Sequence, residues 1–510
     1  MPEEEKTEKE KSETTTEENN ETSETKLKIK IEEIDRYSIN MNDIIIEIRI
    51  ISQEDKAVPQ YIASITNISD TTKLILEKIR QEFVTRVDVE EMAKVDDTDS
   101  TDIRTRFQNE IRKLLSKYFP KTDIKTMNML INYLIGESLG LGKIEILLRD
   151  QNLEEIVINS HTEPVWAYHK KHGWTQTNIK IPTEARIRHF STTIGRDIGK
   201  EITTLNPLMD AHLTTGDRVN ATLMPISNRG NTITIRKFAA DPWTIVKLIK
   251  GGTTNLEGAA LIWLAIQNEL SILVAGGTGS GKTSMLNACS NFFPPNQRII
   301  SIEDTRELTL PDNLHWVPME TRLANPEGKG GVSMLDLVVN SLRMRPDRIM
   351  VGEIRRKKEA EVLLEATITG HSVYGTFHAN TAEEVIMRMT NPPIDLPKPM
   401  LSALGLILVQ NRNRRTGKRR TLQIAEIMPN GEPNVLMQLN AKTDNLEKAN
   451  ESSMMMKTLE LYTGMTKEEI ENDLKQKKEI LQWMINKGIE EVNDVGDIMG
   501  KYYMGRLKLD

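Results

Sequence analysis

Between residues 271 and 292 a short apolar run, SILVAG, meets a glycine-rich loop and then a helix-forming stretch, TSMLNACSNF. The loop is Gly276, Gly277, Thr278, Gly279, Ser280, Gly281, Lys282 and Thr283. Buried strand, glycine-rich turn and helix, in that order, constrain this chain more than any other feature. Glycines let the backbone curl with its N–H groups turned inward, and the helix N-terminus beyond adds positive potential there. Such a cradle suits phosphate oxygens. Lys282 then supplies a point charge for the β- and γ-phosphates, and Thr283 a hydroxyl for Mg²⁺. The pattern predicts that Gly276 to Thr283 bind ATP with Mg²⁺. The alternative, a glycine turn without a ligand, fits the flanking strand and helix poorly.

Beyond the loop, strands and helices alternate: RIISIE, MLDLVVNSLR, RIMVGE, AEVLLEATI, VYGTFH and AEEVIMRM. Short apolar strands alternating with helices predict a mainly parallel sheet with helices packed on it. In such sheets ligands bind beyond the carboxyl ends of the strands. Three groups stand at those ends. Glu303 and Asp304 come after RIISI, placed to hold Mg²⁺ through water or to polarise the attacking water; a surface ion pair is the competing reading. Glu353 comes after RIMVG and can take a proton from water near a γ-phosphate. Gly352 stands where phosphate-loop proteins usually carry an acidic metal residue. That leaves the metal's outer shell to Glu303 and Asp304, or both tasks to Glu353. His371 and His378 bracket the strand SVYGTF. They lack the partners of a zinc site and read as phosphate sensors or as ordinary core or surface histidines.

The loop, the acidic pair, LRMRPDRIMVGEIR and TGHSVYGTFHAN, in that order, resemble the secretion ATPases of type II and type IV systems, the family that includes type IV pilus, Tad-type and archaellum motors. The resemblance covers about residues 140–430 and looks most like the archaeal members. It implies an α/β fold: a RecA-like domain preceded by an α+β, PAS-like domain. It implies a homohexamer that hydrolyses ATP and acts on a polytopic membrane platform protein, peripheral to the inner face of the cell membrane. By the same resemblance Glu353 is the general base, Glu303 the acidic-box glutamate, and His371 and His378 the histidine box. GDRVNAT and TITIRKF match stretches that supply trans-acting arginines, so Arg218 and Arg236 are candidates. Arg236 reads equally as the structural partner of a carboxylate. The single cysteine, Cys289, excludes an internal disulfide and the tetracysteine zinc insert of many bacterial members. No retraction-type C-terminal motif is evident, which favours assembly.

The remainder of the chain divides by composition. Residues 1–26 carry ten Glu and four Lys and, apart from Met1, no large apolar side chain; an acidic disordered tail is expected. Of the net charge of −7, this tail holds −6, leaving −1 on the other 484 residues. Stable nucleic-acid binding is therefore not expected. Expected next are an α+β and helical region at 27–138, the PAS-like domain at 139–241, the RecA-like domain at 242–431, and a helical region at 432–510. In the last, Thr466 and Glu469 make a capping box and Gly488 a C-terminal stop. The basic run Arg412, Arg414, Arg415, Lys418, Arg419 and Arg420 surrounds a hairpin tip at Thr416-Gly417. It reads as a solvated turn, or as a contact for an acidic loop of the platform protein or for anionic lipid. No apolar run reaches the ~18 residues of a membrane span and no secretory signal opens the chain, so a cytoplasmic protein is expected. The motor reading has two rivals: a conjugation-type ATPase moving protein or DNA–protein substrates, and an ATP-gated scaffold with little turnover.

Overall fold

The computed structural model describes residues 31–86, 100–139, 141–213, 215–238, 242–322, 324 and 328–509. The expected acidic tail lies outside these residues. Two compact units are present, one of residues 1–187 with 229–232 and one of 188–228 with 233–510.

In the first unit, strands β1 (Ile31–Met41) and β2 (Ile44–Gln53) form an antiparallel hairpin. Its two-residue turn, Asn42 and Asp43, has φ of 51° and 67°. Both central residues of such a tight hairpin need positive φ, and Asn and Asp tolerate it. Period-two patterning buries Ile44, Ile46, Ile48 and Ile50 on one face. The sheet continues through β3 (Gln60–Ile65), β6 (Gly173–Lys180), β5 (Pro164–His169) and β4 (Leu153–Ile158). Helices α1 (Asp70–Arg86), α2 (Ser100–Tyr118) and α3 (Ile124–Leu139) pack on one another. A short α4 (Ile144–Arg149) leads into β4.

The second unit takes in most of α5 (Glu184–Asp197) and the antiparallel pair β7 (Leu208–His212) and β8 (Arg218–Thr222), with β9 (Thr232–Arg236) beside β8. Helices α6 (Ile245–Lys250) and α7 (Leu256–Gln267) then lead to β10 (Ile272–Gly276) and α8 (Lys282–Ser290), which flank the glycine loop. Next in the chain are β11 (Arg298–Glu303), β12 (His315–Glu320), α9 (Met334–Ser341), β13 (Arg348–Val351), α10 (Lys357–Ile368), β14 (Ser372–Phe377) and α11 (Ala382–Thr390). Strands β15 (Leu406–Arg412) and β16 (Arg419–Ile427) form a hairpin.

The large sheet runs β12-β11-β13-β14-β10-β15 in parallel and continues antiparallel through β16, β17 (Pro433–Asn440) and β18 (Asn445–Lys448). A mixed α/β fold with two sheets is thus present. All residues of β10, β13 and β14 are buried, as a strand covered on both faces requires. One core joins α6, α7 and α8 to the C-terminal helices; the other joins α9, α10 and α11.

The stretch expected to be helical from 432 begins with β17 and β18, and helices start only at α12 (Met454–Thr463). Each strand is the arm of a hairpin, β17 pairing antiparallel with β16 and β18 with β17. In α13 (Lys467–Lys487) both capping-box bonds form, 2.7 Å from the Thr466 amide to Glu469 and 3.3 Å in return, and Gly488 closes the helix at φ 68°. The last helix is α14 (Val492–Tyr503).

Candidate active site

The C-terminal edge of the parallel strands collects the chemistry. Gly276 ends β10, Glu303 ends β11, Gly352 and Glu353 come directly after β13, His378 after β14, and Arg412 ends β15. Because neighbouring parallel strands end together, residues far apart in sequence meet at one rim.

The loop has the strained, close-packed form a phosphate cradle requires. Gly279 and Gly281 adopt φ of 70° and 93°. A Cβ on Gly276 would stand 2.4 Å from Ser280 Oγ and 2.5 Å from the Gln410 carbonyl, so only glycine fits. Ser280 Oγ is buried without a hydrogen-bond partner. The Lys282 ammonium donates to the loop's own Gly277 carbonyl at 3.1 Å. Burial lowers its pKa, while Glu353 and Glu307 act in the opposite sense. An orphaned hydroxyl and a lysine folded back on its own loop are what an anion would satisfy. The residues present therefore fit a nucleotide's phosphates.

Glu353 stands beside this loop. Its Oε2 accepts from Arg355 Nε at 2.9 Å and Nη2 at 2.5 Å; its Oε1 lies 3.4 Å from His378 Nε2. Arg355 also donates to Asp304 Oδ2 at 2.6 Å, so one guanidinium ties the end of β11 to the segment after β13. Burial lowers the His378 pKa, and the nearby Lys282 lowers it further. Asn380 Oδ1 lies 3.3 Å from where a Cβ on Gly277 would be.

Glu303 is buried, and its Oε1 accepts from the Glu307 and Leu308 amides at 2.9 and 3.1 Å. Burial pushes its pKa up to about 7, and these amide bonds only partly counter that. Its side chain also explains Gly352: a Cβ there would come within 3.3 Å of Glu303 Cγ. A side chain at 352 would need Glu303 to give by a few tenths of an ångström.

His371 is not brought to the loop. It precedes β14 while His378 comes after it, and a six-residue strand separates its ends by about 20 Å. Its Nδ1 faces the Ala366 carbonyl at 3.2 Å. Of the residues expected at the metal, Thr283 keeps its place at the end of the loop, and Glu303 and Asp304 have protein partners. Glu303 anchors the loop beyond its own strand, Asp304 is held by Arg355, and Thr283 is the second residue of α8. Among the described residues no group of three or more His, Cys, Asp or Glu forms a metal cluster.

Both candidate arginines lie near the site's carboxylates in their own chain. Arg218 makes a two-pronged contact with Asp210 at 3.0 and 2.6 Å, which raises its pKa, and it feels Asp304 and Glu307. Arg236 lies 3.5 Å from Glu307. Sequence reasoning missed Glu307, Arg355 and Arg419 as members of this neighbourhood. Arg355 closes the LRMRPDRIMVGEIR motif and Glu307 stands four residues past Glu303, which was the available signal.

The family model described as "Type II/IV secretion system protein" matches residues 206–491. This chain belongs to that family. Its secretion-family relatives include the type IV secretion system protein PtlH of Bordetella pertussis, 31% identical over 313 residues, 54% of this chain and 89% of PtlH. An uncharacterised protein of Methanocaldococcus jannaschii, MJ0781, is 27% identical over 664 aligned residues, 93% of this chain and 89% of that one. Among solved structures the chain is similar to the pilus retraction motor PilT with bound ADP, at 17% identity and a TM-score of 0.43, covering 72% of this chain and 94% of PilT. Among the described residues no helix of this secretion-family member is long and apolar enough to cross a membrane.

Proposed function

We propose that this chain is the ATP-hydrolysing motor of a type II/IV secretion machine, working as a homohexamer. The observation that carries this reading is the convergence of Glu353, His378 and Lys282 at the glycine loop. Water attacks the γ-phosphorus, the bond from that phosphorus to the β–γ bridging oxygen breaks, and ADP leaves. Glu353 receives the water's proton. Its Oε2 is occupied by Arg355, so Oε1, beside His378, is the accepting oxygen. Lys282 swings from the Gly277 carbonyl onto the β- and γ-phosphates. When bound, Mg²⁺ neutralises charge on those phosphates, with the Thr283 hydroxyl as its protein ligand. In the ring, Arg218 and Arg236 exchange their own-chain carboxylates for the nucleotide of a neighbouring copy. The segment before the RecA-like domain serves as the PAS-like moving part. The ring acts on a membrane platform protein at the cytoplasmic face, adding pilin-like subunits to a pilus or archaellum. A second reading, a type IV secretion ATPase moving protein substrates, is supported by the likeness to PtlH.

The test is phosphate release from Mg-ATP, titrated over protein concentration. Specific activity should rise with concentration, and Glu353→Gln should slow turnover by about 10²–10⁴. Near wild-type turnover in that variant would remove Glu353 as base; activity flat with concentration would remove the ring-completed site.

A further inference from the structure

The basic run at 412–420 is exposed at its tip, 413–418, but its flanks are engaged within the protein. Its tip is an ordered turn: Asn413 accepts from the amides of Arg415 and Thr416, and the Asn413 amide reaches the Lys418 carbonyl at 2.9 Å. Lys418 and Arg420 pair with Asp444 at 3.1 and 2.8 Å. Neighbouring side chains on a strand point to opposite faces, so Arg419 leaves the other way. It runs to the glycine loop. Its Nε donates to the Gly279 carbonyl at 3.0 Å, across 140 residues of sequence. Its Cδ lies 3.5 Å from the Cβ position of Gly281, and Arg412 Nη1 lies 3.2 Å from that of Gly279.

A phosphate cradle works because its amides point in, which forces its carbonyls out. An outward carbonyl against protein needs a donor. Lys282 answers the Gly277 carbonyl only until a phosphate draws it away. The Gly279 carbonyl has a donor from outside the loop, one that need not leave when nucleotide binds. We propose that Arg419 is a positioning residue of the nucleotide site, holding the Gly279 carbonyl outward, with Arg412 beside it adding a second positive charge for a nucleoside di- or triphosphate. This rests on the ATPase reading and extends it to a hairpin the motifs leave out.

The test is equilibrium binding of ADP and of Mg-ATP to wild type, Arg419→Gln, Arg419→Lys and Arg415→Gln, with steady-state kinetics. Arg419→Gln should weaken ADP and ATP together, by about tenfold or more. Its kcat at saturating ATP should stay within about threefold, since the loss is in uniform binding. Arg419→Lys keeps the charge but lacks the Nε–H and should recover only part; Arg415→Gln, at the exposed tip, should bind as wild type. Unchanged affinity in Arg419→Gln overturns the proposal, and so does a loss confined to ATP, which would put Arg419 on the γ-phosphate. Wild-type protein that binds neither nucleotide would instead overturn the ATPase reading.

Discussion

Glu303 and Glu353 end neighbouring strands yet are set oppositely. Glu353 is half of an ion pair with Arg355, whereas Glu303 is buried and faces backbone amides, with its pKa up to about 7. An ordinary glutamate titrates near 4.5. Between these values the folded chain holds a proton that the unfolded chain has lost. Glu303 therefore lowers stability as pH rises from about 4.5 through 7, by up to roughly 3 kcal/mol. Glu303→Gln removes that loss, so its stability relative to wild type should climb across this window in urea unfolding at stepped pH. A difference that is flat with pH would mean Glu303 is ionised when folded. At this scale the sequence was most legible where chemistry sits on a glycine loop or at a strand's end, as for Lys282, Glu353 and His378. His371 lies apart from these, since the six residues of SVYGTF put the two histidines at opposite ends of β14. Asp304 and Arg355 meet across 51 positions, a pairing only the sheet order creates.

Among the elements, β16 does two jobs. Its first residue reaches the glycine loop, and near its end Glu426 accepts the amides of Ser453, Met454 and Met455 at 2.8, 3.1 and 2.9 Å. Burial pushes the Glu426 pKa up, but these amides, with Asn434 and Ser452, outweigh it and leave the pKa lowered. A strand carboxylate thus caps α12 at the end where helix dipoles favour negative charge. Glu426→Ala leaves buried donors unanswered and should cost about 3 kcal/mol or more. Limited proteolysis should then cut first around residues 450–456; unchanged protection there would deny Glu426 this part. Neither contact is visible in sequence, because Glu426 sits in an apolar run, IAEIM, where a strand pattern gives no hint of a helix 28 residues later. By contrast the capping box of α13 is local, and it was readable. The C-terminal strands β17 and β18 were missed, although each is joined by a short turn to the strand it pairs with.

At the scale of the whole molecule, Arg218 and Arg236 belong to the same unit as the site, and each faces a carboxylate of that unit. The ring reading asks them to serve a different copy. Mixing two inactive variants decides this: Glu353→Gln with Arg236→Gln. Random assembly gives intact base and intact arginine at about a quarter of interfaces, so up to that share of wild-type turnover should return. No recovery would mean that both groups act within one chain. The parallel order of the large sheet was legible from alternating short strands and helices, while the boundary between the two units was not, since it falls inside α5 rather than in a linker. The pairing of Arg218 with Asp210 and of Arg236 with Glu307 has a cellular corollary. A newly made copy carries its own safety catch, with both arginines already engaged. On the proposed ring reading, a reserve of unassembled copies would stand idle amid plentiful fuel, and consumption would begin with docking rather than with synthesis.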